Sequence, residues 1–424
     1  MNLRAIGLGL MAAMAAGGAE AGLDSCPAPT PASEMTLTFE SNFAETGKID
    51  PAQWRRYVGQ HGVPSHERQV YLPDEMTVEP GYGLRLTTSR RDYWDHQYSS
   101  GQLMTQGLFA QTYGHFEILA RLPQANGLWP AFWLMPENGD WPPEIDVYEY
   151  IFASFGNKAN GGTYAQSTFH WKGPRGEHRS IGQGDNSDIP RFFTDKDWNS
   201  MAAVPGIAAP VPGFHLYSVD WRPGSLLVQI DRKTVFCVKE GPGSDVKVPA
   251  WPMYMVVNTA ISGGTKAKPG WPGYLDDDQT FPLSHDVAYV RAYQFKDQTA
   301  APVLPFDIRG VRLSNPTPRP GETVTITADI KVGPAALGKG NVTFGLFSYI
   351  NPNEFHGRKN DIAKVGIAVP ALEAGKTKTV KGSFVVPADA APDYYGLWLW
   401  ATYTDGPVNG DAGAKRLFYS PLAQ

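Results

Sequence analysis

Leu216-Tyr217-Ser218-Val219-Asp220-Trp221 places Tyr, Val and Trp on one parity and Ser and Asp on the other. A period of two is the signature of a strand with one buried face; a helix would scatter these three apolar side chains around its circumference. The pattern recurs on both sides, in Thr36-Leu37-Thr38-Phe39, Leu84-Arg85-Leu86-Thr87 and His115-Phe116-Glu117-Ile118-Leu119-Ala120, and turn residues punctuate each run. With 45 Gly and 36 Pro beside only 19% charged residues, the composition favours many short strands over long amphipathic helices. The expected fold class is all-β, built as a two-sheet sandwich.

At 424 residues the chain is long enough for a large and a small domain. Alternation runs from residue 36 to Val290-Arg291-Ala292-Tyr293-Gln294 and 296, after which 297–305 is polar and Pro-containing and reads as a linker. From 306 to 424, Thr323 to Ile330, Val342 to Phe347 and Tyr395 to Trp400 predict a C-terminal immunoglobulin-like β-sandwich. Its aromatic run, Tyr394, Tyr395, Trp398, Trp400 and Tyr403, either forms a glycan-binding platform or fills that sandwich's own core, the reading favoured here. Gly182 to Gly213 breaks the strand rhythm, as a functional loop or as a tolerated surface excursion.

Met1 to Ala21 has a charged start at Arg4, an apolar small-residue run and Ala19-Glu20-Ala21. That order predicts a signal peptide cleaved after Ala21 and a secreted or periplasmic protein, against the alternative of a buried N-terminal helix. Residues 22–35 follow as an N-terminal linker, and no later stretch is long and apolar enough to span a bilayer. Two cysteines, Cys26 and Cys237, allow one disulfide in an oxidising compartment; the alternative is that Cys237, within Val235-Phe236-Cys237-Val238, is a small buried hydrophobe. A net charge of −5 offers no basic field for nucleic acid, so the expected partner is a neutral or weakly charged substrate met by a monomer.

The chemistry is concentrated in Trp141-Pro142-Pro143-Glu144-Ile145-Asp146-Val147-Tyr148-Glu149-Tyr150. On a regular strand Glu144 and Asp146 share a face and Glu149 points to the other; a one-residue bulge between Asp146 and Glu149 would bring all three to one cleft. Like charges so close raise one another's pKa and oppose folding, a cost that a functional site repays. A merely solvated acidic face and a calcium site remain alternatives at this point. Two carboxyl groups about 5–5.5 Å apart are the arrangement for retaining glycoside hydrolysis.

The segment Glu144 to Glu149 resembles the catalytic signature of glycoside hydrolase family 16 in its bulged, laminarinase-like form. Further motifs follow in order: Ser100-Gly101-Gln102-Leu103-Met104-Thr105, Tyr113-Gly114-His115-Phe116-Glu117, Gly127-Leu128-Trp129-Pro130-Ala131-Phe132-Trp133-Leu134, Phe169-His170-Trp171, Phe214-His215-Leu216-Tyr217, Asp220-Trp221 and Tyr289-Val290-Arg291-Ala292-Tyr293. The resemblance implies a β-jelly-roll over 36–296, with Glu144 as nucleophile, Glu149 as acid/base and Asp146 between them tuning the pair. It implies a polysaccharide substrate, no cofactor in catalysis, and a structural calcium away from the cleft whose ligands cannot be named from the sequence. A glycan cleft needs aromatic platforms, for which Trp129, Trp133 and Trp171 are candidates, with His170 near the acid/base. Glu67 matches a stretch at the non-reducing side, or is a surface charge; Trp221 is expected in the core. Pro143, His66 and Gln102 depart from the family pattern and leave the substrate open. The expected function is an endo-β-glycanase cleaving β-1,3 or β-1,3-1,4 glucosidic bonds of a glucan or related bacterial exopolysaccharide. A transglycosylase on the same site and a glycan-binding protein without turnover are the alternatives.

Overall fold

The computed structural model describes residues 23–59, 66–93, 96–137, 141–153, 162–183, 191–194, 197–202, 205–298, 306–315, 318–348, 361–390, 395–403 and 416–419. The expected signal peptide, Tyr394 and residues 299–305 of the expected linker lie outside the described residues.

Strands dominate, as the alternation predicts. Among the described residues a ten-stranded antiparallel-rich sheet and an eight-stranded sheet form a jelly-roll sandwich between Met35–Asn42 and Leu283–Phe295. Their facing sides share one core: Phe116, Ile118, Val219 and Trp221 from the larger sheet meet Phe132, Leu134, Ile145, Tyr148 and Phe169 from the smaller. Burying each such side chain contributes roughly 1.5–3 kcal/mol, so this layer dominates the stability of the body. Trp221 lies in the core as expected, its indole N–H donating to Pro249 O at 3.1 Å, so the one polar atom of the ring is satisfied.

A buried polar pin crosses the layers. Tyr148, on the inward face of strand Glu144–Ile151, lies 2.7 Å through its hydroxyl from His285 Nε2 on strand Leu283–Phe295. Burial holds the His285 pKa down to about 3, so the ring is neutral and Nε2 accepts the Tyr148 proton. The acidic strand is thereby fixed from behind, leaving its other face to the cleft.

Residues 23–34, expected as a linker, are tied to the larger sheet. Cys26 is disulfide-bonded to Cys237 on strand Lys233–Lys239, Lys239 Nζ donates to Ser25 O at 3.0 Å, and Thr30 N donates to Asp220 at 3.0 Å. Within the long break after Gly182, Trp198 is buried and stacks on His215 with centroids 3.6 Å apart, anchoring the described part of that excursion to the body.

Beyond residue 306, sheets of three and four strands surround a second core that includes Ile308, Ile326, Val342, Phe344 and Val380. No helix among the described residues is long and apolar enough to cross a membrane.

Candidate active site

Three neighbouring strands of the smaller sheet build the site: Leu128–Pro136, Glu144–Ile151 and Tyr164–Lys172. Glu144 pairs with His170, Asp146 with Thr168 and Glu149 with Gln166. The partner strand takes two residues from Thr168 to Gln166 while the acidic strand takes three from Asp146 to Glu149; the difference is a bulge, seen also in the pairing with the Trp133 strand. The extra residue restores parity, and all three acids face the cleft while Val147 and Tyr148 are buried. The bulge frees the carbonyl of Val147, and Ser167 Oγ donates to it at 2.9 Å.

Each acid has its own donors. Trp141 Nε1 donates to Glu144 Oε2 at 2.9 Å. Glu149 accepts from Trp129 Nε1 and from Thr168 Oγ1, both at 3.1 Å. His170 Nε2 stands 3.1 Å from Asp146 Oδ2 and 3.7 Å from Glu144 Oε1, close to both acids of the first pair. Although 17% of the Glu144 side chain remains open to the cleft, its surroundings are dry enough to oppose charge. Burial first, then the charge of Asp146, raises the Glu144 pKa to about 8. Burial and then Glu144 raise Glu149 to about 7, and burial with Glu149 holds Asp146 well above the ordinary carboxylate range. At neutral pH the trio therefore retains a proton, as a buried cluster of coupled carboxyl groups must. Ligand atoms of Glu144, Asp146 and His170 also lie within 4.8 Å of one another, a grouping that could hold a cation.

Trp129, Trp133 and His170 are half-buried on this face. Trp133 stands one step from the trio, its Nε1 donating to Asn258 Oδ1 at 2.8 Å, and Asn258 in turn donates to Tyr71 OH at 2.8 Å. Glu67 lies further along: it accepts from Gln69 Nε2 at 2.6 Å, its charge reaches Tyr71, and burial raises its pKa. Trp171 is a correction. It is 5% exposed and stacked on Phe169 in the core, because 169 and 171 share the parity opposite to His170. It therefore cannot meet a sugar in the cleft.

Sequence reasoning missed five further neighbours: Trp141, Thr168, His178, Asn258 and Trp271. Trp141, 49% exposed, adjoins the acids in sequence, and Trp271, 41% exposed, meets Trp129 edge to face at 5.2 Å. These two open indoles lie towards Glu144 and Glu149 respectively. Gly127 lets the 274–275 backbone pack against the start of strand Leu128–Pro136: its φ is +71°, and a Cβ there would come within 2.5 Å of the Leu275 backbone nitrogen.

A β-sandwich whose cleft floor carries interacting carboxyl groups beside open indoles belongs to the class of carbohydrate-cleaving hydrolases. Residues 65–274 match the model of glycosyl hydrolases family 16, and the chain belongs to that family as a glycoside hydrolase. It is 26% identical over 275 residues to a β-glucanase of Rhodothermus marinus, covering 61% of this chain and 85% of that protein. It is 32% identical over 200 residues to the endo-1,3-1,4-β-glycanase EglC of Rhizobium meliloti, covering 47% of this chain and 34% of that protein. The solved laminarinase of Rhodothermus marinus is similar over 62% of this chain and 98% of its own, at 26% identity and a TM-score of 0.46.

Proposed function

We propose that the protein is a secreted retaining endo-β-glycanase that hydrolyses internal β-1,3 or β-1,3-1,4 glucosidic bonds of a glucan or related exopolysaccharide. The observation that carries this is the bulge that turns Glu144, Asp146 and Glu149 to one face. In the free site the upward shift is larger for Glu144 than for Glu149, so the reactive form is the one in which the cluster's proton has passed to Glu149; the Glu144 carboxylate then attacks the anomeric carbon while Glu149 donates that proton to the departing glycosidic oxygen. The C–O bond to the leaving sugar breaks and a glycosyl ester forms. Glu149, now a carboxylate, takes a proton from water, whose oxygen attacks the same carbon and releases Glu144. Asp146 shares a hydrogen bond with Glu144, and its charge raises the Glu144 pKa. Trp129, Trp133 and Glu67 line the sugar path. The reaction needs only these carboxyl groups and water, and a structural calcium would lie away from them. The substrate class is supported by the names of the Rhodothermus and Rhizobium relatives. The C-terminal unit is read as an immunoglobulin-like accessory sandwich, and the chain acts as a monomer.

The test uses soluble laminarin and mixed-linkage barley glucan, with new reducing ends, product size and proton NMR as readouts. Wild type should release β-configured oligosaccharides first, and a chelator should leave the rate unchanged. Glu144→Ala should lose activity on polymers and on aryl glycosides alike. Glu149→Ala should lose polymer cleavage but keep the first step on an aryl glycoside whose leaving group needs no proton. Initial α-configured product or an active Glu144→Ala variant would reject the double displacement.

A further inference from the structure

His178 opens the strand His178–Gly182, next to the His170 strand at the end of the smaller sheet's strand order. It touches none of the three acids by hydrogen bond, yet it contacts both groups that serve the first pair. Its Nε2 lies 2.8 Å from His170 Nδ1, and its ring lies against Trp141 with centroids 4.6 Å apart and planes 38° from parallel. The two imidazole planes lie 17° from parallel with centroids 5.1 Å apart, as edge-to-edge hydrogen-bonded rings do.

A neutral imidazole has one donor and one acceptor nitrogen, so the bond between the rings needs a proton on one of His178 Nε2 and His170 Nδ1 and a lone pair on the other. It therefore ties the tautomer of His170 to that of His178. His170 Nε2 stands 3.1 Å from Asp146 Oδ2 as a close contact without hydrogen-bond geometry. Remove His178 and Nδ1 loses its partner, leaving the ring that faces Asp146 and Glu144 free to change tautomer and to turn. Trp141, half exposed and without its ring partner, would also lose the packing that aims its N–H at Glu144.

We propose that His178 is a positioning residue for hydrolysis, fixing the tautomer of His170 and the placement of Trp141 and so the hydrogen bonding of the nucleophilic pair. This rests on the assignment of Glu144 and Glu149 made above.

Full-length His178→Ala, His178→Gln and His178→Phe are assayed on whichever of laminarin and barley glucan the wild type cleaves, with kcat and KM separated and thermal midpoints recorded. Outer partners of metal-bound histidines are worth about 10- to 100-fold, and on that scale His178→Ala should lose kcat with KM within about twofold. Gln, whose amide can donate to or accept from the same nitrogen, should recover most of kcat. Phe, which restores only the packing on Trp141, should recover less than Gln. A kcat for His178→Ala within twofold of wild type overturns the proposal. So does a rise in KM at constant kcat, rescue by Phe alone, or failure of Gln to rescue a folded protein. If Glu144→Ala is itself active, the underlying assignment fails instead, and the two failures are told apart in one set of assays.

Discussion

At the scale of single residues, the site works against the stability of its own fold. Glu144 titrates at about 8 in the folded chain against an ordinary 4.5, so the native state holds that proton more tightly than the unfolded chain does. Its contribution is fully present below about pH 4.5 and is lost as pH climbs through the window up to about 8. Glu144→Gln, which removes the charge and nearly keeps the shape, should therefore raise the thermal midpoint relative to wild type by roughly 2 °C or more at pH 8, and by less at pH 5. A difference independent of pH would mean that the carboxylate carries no such penalty. The grouping of the acids on one face was legible because three carboxylates interrupt an apolar strand pattern. Trp171 was misplaced although its parity with Phe169 was in plain view: an aromatic next to His170 was read by proximity in sequence, where a strand separates neighbours onto opposite faces. Thr168, Asn258 and Trp271 carried no local signal, since their contacts with the site cross between strands or loops.

At the scale of elements, the bulge is the decisive irregularity. Its existence was expected from the spacing of the acids together with the resemblance of that segment to a bulged family signature, because a regular strand would have turned Glu149 into the core. What holds it did not follow: Ser167, twenty residues away, reads as any small strand residue until its hydroxyl is found on Val147 O. Ser167→Ala would leave that buried carbonyl unpaired and should cost about 1–3 kcal/mol, read from denaturant midpoints, with a fall in kcat as Glu149 loses its fixed place. An unchanged midpoint would show that the bulge is held by other means. The strand order behind the site, including the Tyr148–His285 pin, depends on long-range pairing that periodicity cannot encode.

At the scale of the whole molecule, two separate cores were legible from strand runs on either side of a polar break, whereas the docking of residues 23–34 onto the larger sheet was not. The Cys26–Cys237 bridge, which the sequence left open, closes a loop of 211 residues, and chain entropy alone would make it worth about 5 kcal/mol. Replacing both cysteines by serine should lower the thermal midpoint by several degrees yet preserve hydrolysis at 25 °C, because the bridge lies on the sheet opposite the cleft; equal midpoints would show that the rest of the strap suffices. The bridge also encloses all three acids in its covalent ring. A protease that cuts once anywhere between the two cysteines therefore releases nothing: the clipped molecule keeps its mass apart from one added water, and its two pieces separate only after a thiol is added.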